Sequence, residues 1–132
     1  MNPAPDDSRF DPLRWQAMLD AQGVPAAHAW IGMLARDDYA ARSGTLLLWR
    51  GTVGGAELCE RPWLGAADRD VAMLLVLDDE AAARLPEQGF AQIPALIRGG
   101  HLHPYMLMTL DQLEEAGLDD FVEDLGLVFP KH

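Results

Sequence analysis

The chain has 132 residues, with 21 carboxylate side chains against 10 lysines and arginines, and a formal net charge of −11. That length suits one domain with a core of its own, and 23% charged residues is an ordinary globular balance that excludes a chain too polar to fold. The charge argues against nucleic acid, which is bound by cations on its phosphates, and against an anionic membrane surface.

Residues 1–9 are rich in Pro and Asp and read as a disordered tail without the basic start or apolar stretch of a signal peptide. Residues 10–132 read as a single globular domain. A first helix opens with Asp11 as N-cap, Pro12 in the first turn, and Phe10 and Trp15 as a hydrophobic staple. Trp15, Met18 and Leu19 form its buried stripe, and Gly23 terminates it with Val24 placed against Leu19. A second helix is expected over residues 25–41, with Trp30, Met33 and Leu34 inward, so that the two form a helical hairpin over a sheet.

Residues 45–49 (TLLLW) supply a short strand, followed by a glycine-rich loop at residues 50–55. Residues 71–77 (VAMLLVL) are apolar on both alternating faces, as in a strand covered on two sides. A short helix at residues 80–85 follows. Residues 90–97 are ambiguous, because Pro94 would confine any strand there to an edge. Residues 105–108 (YMLM) are a third strand candidate. Thr109 and Gln112 then form a capping box, and Gly117 ends that helix with Leu118 against Leu113. A last helix from Asp119 stops at Gly126 with Leu127 against Val122, and residues 127–129 could close the sheet. The expected fold is α/β or α+β: a small single-layer sheet of three to five strands, covered by the N-terminal hairpin and short C-terminal helices.

Charge is unevenly spread. Residues 99–130 contain Asp111, Glu114, Glu115, Asp119, Asp120, Glu123 and Asp124 but no Lys or Arg. Large apolar residues are threaded between these acids, a pattern that folds with one strongly negative face. Soluble helices usually mix signs and gain from pairs of opposite charge four residues apart; here like charges repel. The bland reading is a solvated face. The sharper one is a surface for a basic partner protein, with Glu114, Glu115, Asp119, Asp120, Phe121, Glu123 and Asp124 in contact. Trp63 would add an aromatic anchor if its turn-rich segment leaves it exposed.

No catalytic constellation stands out. Lys131 is the only lysine, which removes a P-loop lysine and argues against Schiff-base chemistry. The cluster Gly51, Gly54 and Gly55 fits neither GxGxxG nor GxxxxGK[ST] and reads as a plain loop. Asp78 and Asp79 end the most apolar strand, where open α/β sheets bind ligands and two carboxylates could hold Mg²⁺; helix capping is the preferred reading. His101 and His103 have a spacing that a metal site can use, but a third ligand is not evident. Cys59 cannot form an internal disulfide, and Glu57 and Glu60 beside it disfavour a reactive thiolate.

The sequence therefore points to an acidic protein-interaction domain of the immunity, antitoxin, chaperone or regulatory-subunit type, with no cofactor. The expected compartment is the cytoplasm, and the arginine-rich, lysine-poor composition suggests a bacterial source. The alternative is a small α/β metal-dependent enzyme or ligand-binding domain, with a degenerate nucleotide-binding-like fold and Asp78, Asp79, His101 and His103 around the metal. A third reading is a homo-oligomer subunit joined through the N-terminal hairpin.

Overall fold

A computed structural model gives the architecture and describes residues 10–125. The tail at 1–9, the stop at Gly126, the Leu127–Val122 contact and the strand at 127–129 lie outside the described residues. The fold is α+β, built on one open five-stranded sheet. In chain order the elements are α1 (Pro12–Gln22), β1 (Trp30–Ala35), α2 (Arg36–Ala41), β2 (Gly44–Thr52), β3 (Gly55–Trp63) and β4 (Val71–Leu77). They continue with α3 (Asp79–Gln88), α4 (Ile93–Arg98), β5 (Leu102–Met106), α5 (Leu110–Ala116) and α6 (Asp119–Asp124). The spatial order of the strands is β3-β2-β1-β4-β5. β1 and β4 are parallel and the other neighbours antiparallel.

α1 begins as its sequence dictates. Asp11 accepts the N–H of Leu13 at 3.1 Å, and Gly23 closes the helix with its N–H on the carbonyl of Leu19. Phe10 packs edge-on against Trp15 at 5.9 Å between ring centroids. The second half of the expected hairpin does not form. Residues 30–35 are the strand β1, and only 36–41 are helical. All six residues of β1 are buried, and a strand between two covered faces buries every residue, whereas a surface helix leaves one side wet. The spacing of Trp30, Met33 and Leu34 suits a helix stripe, but the flanking Ile31 and Ala35 are as deeply buried.

The sheet divides the core in two. On one face Ile31, Met33, Leu47, Trp49, Met73 and Leu75 pack under α1, α3, α4, α5 and α6 in the larger cluster. On the other, Trp30, Leu34, Leu46, Leu48 and Leu74 form a thinner layer with Tyr39 of α2 and Trp63. The Arg50 guanidinium lies 4.2 Å from the centroid of the Trp30 ring, covering apolar surface while its charge stays near water.

Three further expectations change. The glycine-rich segment is the turn of a β2–β3 hairpin, so residues 55–63 form a strand. Residues 90–97 are helical, with Pro94 in the first turn of α4, where its missing N–H is harmless. The strand expected at 105–108 runs instead from Leu102 to Met106, with His103 inside it.

Candidate functional site

The acidic segment folds into α5 and α6 by local chemistry. Thr109 Oγ1 accepts the N–H of Gln112 at 3.2 Å, and Gln112 Oε1 accepts the N–H of Thr109 at 2.9 Å. Gly117 then takes a left-handed φ of 83°, and the N–H of Leu118 bonds the carbonyl of Leu113 at 2.9 Å. Leu113, Leu118, Val122 and Leu125 are buried against the larger cluster. Phe121 is half-buried and meets Trp49 edge-on at 6.0 Å and Phe90 at 5.5 Å.

The apolar side thus fixes where the acids go. Asp111, Glu114, Glu115, Asp120, Glu123 and Asp124 are exposed and Asp119 is half-buried. Among the described residues none of these seven forms an ion pair. Beside them lies an open cleft of about 390 Å³, whose lining includes Ala27, His28, Arg50, Val53 and Glu115. Val53, at the tip of the β2–β3 hairpin, is fully exposed. The N–H of His28 bonds the carbonyl of Ala116 at 3.4 Å and ties this rim to the end of α5. Gly51 makes the rim possible, because a Cβ there would sit 2.2 Å from the carbonyl oxygen of Pro25. His28, Arg50 and Val53 carry no sequence signal as a group; their proximity follows from the bridge between Ala26 and Gly51.

Trp63 does not belong to this surface. It is 3% exposed, ends β3, and stacks on Tyr39 at 6.1 Å, which stacks in turn on Tyr105 at 5.1 Å. The turn residues around it suggest an exposed loop. As the last residue of a strand it instead joins the smaller core layer.

The second constellation separates. Asp78 caps α3 by accepting the N–H of Ala81 at 2.9 Å, and its other oxygen lies 2.7 Å from His101 Nδ1. Arg36, the first residue after β1, stands 3.9 Å from the same carboxylate and donates to the carbonyl of Gly100. Burial pushes the Asp78 carboxyl up, but the Ala81 N–H, His101 and Arg36 outweigh it and hold the group below the usual carboxylate range. Asp79 and His103 are exposed. Among the described residues no group of three or more His, Cys, Asp or Glu side chains is placed to hold a metal ion. The arrangement joins the ends of β1, β4 and α4 and starts α3, which is a structural task.

Three more charged side chains meet beside β3. Arg61 holds Asp70 through paired bonds of 2.9 and 2.8 Å and Asp68 at 3.0 Å. Its hydrogen bonds to Asp70 hold that carboxyl below its ordinary range against the opposing effect of burial. No helix among the described residues is long and apolar enough to cross a membrane. Scans of protein-family models, curated proteins and solved structures find no match to this chain.

Proposed function

We propose that the chain is a protein-interaction module whose α5–α6 face docks on a basic surface of a partner protein, as an immunity protein, antitoxin, chaperone or regulatory subunit would. The observation that carries this reading is the set of seven carboxylates from Asp111 to Asp124, held on the outer side of two short helices without an ion pair among the described residues. Like charges at this spacing repel one another, and a cationic partner relieves that repulsion on binding. Charge of this kind accelerates encounter and selects partners more than it sets affinity. The neighbouring cleft, with the exposed Val53 on its lining, supplies surface that excludes water once the partner is seated.

The metal-dependent alternative has less support, because Asp78 is already engaged by Ala81, His101 and Arg36. The test is charge reversal. A variant with Glu114→Lys, Glu115→Lys, Asp120→Lys and Glu123→Lys, shown to be folded by circular dichroism, is compared with the natural chain in affinity capture from a lysate of the source organism. The proposal expects a stoichiometric basic protein on the natural chain and its loss from the variant. Equal retention by both would overturn it.

A further inference from the structure

Among the described residues the sheet has two outer edges, and they differ. On β5 the edge is interrupted at mid-strand by Pro104, which has no N–H to offer a neighbour. On β3 the protection lies at the ends. Ala56 donates its N–H to Asp20 Oδ1 at 3.0 Å and accepts Gln16 Nε2 on its carbonyl at 2.7 Å. Its backbone groups therefore point away from β2, and by the alternation of an antiparallel ladder so do those of Leu58, Glu60 and Pro62. Pro62 lacks an N–H. Between these guarded ends, the outward N–H and C=O of Leu58 and Glu60 have no hydrogen-bond partner among the described residues.

We infer that this window pairs with the same window of a second copy, β3 antiparallel to β3, with Cys59 facing Cys59 across a two-fold axis. The register follows from the residues. With Cys59 on the axis, the outward groups of Leu58 meet those of Glu60 in the second copy and both residues are satisfied. Pairing is confined to these two residues: Ala56, already bonded to α1, falls opposite Pro62, whose missing N–H leaves only its carbonyl without a partner there. On the thinner face Arg61 falls opposite Glu57 of the second copy, and both side chains reach solvent. Each is anchored in its own chain, Glu57 by Arg50 at 3.0 Å and Arg61 by Asp70, so charges of alternating sign would run across the seam. Sliding by one residue on each strand to centre the axis on Glu60 would set Glu60 against Glu60, a like-charge pair. Centring it on Leu58 would set Glu60 against the occupied groups of Ala56.

The arrangement gives Cys59 a reporting role. It is half-buried on the thinner face, and opposite residues of a non-hydrogen-bonded antiparallel pair have Cα atoms about 4.5 Å apart, inside the range a disulfide spans. The full chain is sedimented over a concentration series, and parallel samples are oxidised with diamide, which takes up the two thiol hydrogens as the disulfide forms. A dimer that cross-links through Cys59 with the same concentration dependence is expected. Glu60→Pro removes an outward N–H at an exposed position, and is expected to weaken the dimer by roughly tenfold or more and abolish the cross-link. The dimer contains this chain alone, whereas partner binding retains a second, basic protein, so the two interactions are told apart. A monomer at every concentration, a dimer that does not cross-link at Cys59, or a folded Glu60→Pro dimer of unchanged strength would each overturn the inference. The cross-link in the natural chain decides the register even if Glu60→Pro fails to fold.

Discussion

At the scale of single residues, Asp78 gathers the most consequences. Its carboxylate caps α3, meets His101 and stands near Arg36, so Asp78→Ala is expected to lower stability by about 1–3 kcal/mol in urea denaturation. The pH dependence has a definite sign. The folded carboxyl titrates below its unfolded value, near 3.9 for Asp. Its stabilisation is therefore complete above that value and is lost as pH falls through the lower folded pKa. Asp78→Asn should show a shallower loss of stability below about pH 4 than the natural chain; equal acid limbs would contradict the assignment. Trp63 offers a contrast between core and surface. As a residue 3% exposed, Trp63→Ala is expected to cost about 3–5 kcal/mol. Its buried indole N–H has no hydrogen-bond partner among the described residues, so Trp63→Phe should cost much less. A near-neutral Trp63→Ala by denaturation would return it to the surface. Gly51→Ala would drive a Cβ into the carbonyls of Val24 and Pro25, and loss of at least about 1–3 kcal/mol is expected from such overpacking.

At the scale of elements, caps were legible and buried periodicity was not. The Asp11 cap, the Thr109–Gln112 capping box and the Gly23 and Gly117 stops are local hydrogen-bond chemistry and could be read from spacing. Thr109→Ala is accordingly expected to cost about 1 kcal/mol by thermal or urea unfolding, with helix content reduced near α5. β1 is hidden in the sequence because a strand buried on both faces carries no alternation, and Trp30, Met33 and Leu34 also fit a helical stripe. β3 is hidden for the opposite reason. As an outer strand it is half polar, and its glycine start and Pro62 resemble loop punctuation. The candidate site divides the same way. The acidic face follows from sequence because its amphipathic spacing fixes which side is wet. The approach of His28, Arg50 and Val53 comes from the hairpin and the Ala26–Gly51 bridge, which are contacts between distant segments. Trp63 reads as a surface residue only while residues 55–63 read as a loop; at the end of β3 it is core.

At the scale of the whole molecule, charge and fold are separable. The larger core cluster is built from α1, the sheet and the inner faces of α3 to α6, and the carboxylates of α5 and α6 lie outside it. Replacing Glu114, Glu115 and Glu123 by Gln and Asp120 by Asn should therefore leave the fold unchanged. At low ionic strength it should raise the unfolding midpoint, and the gain should fade as salt screens the remaining repulsion. The central claim is that the acidic face exists for a cationic partner, and the most direct measurement is retention on the immobilised natural chain across a salt series. The account predicts a basic protein held in stoichiometric amount at low salt and released progressively as salt rises. A bound protein that is itself acidic, or one whose retention does not change with salt, would contradict it.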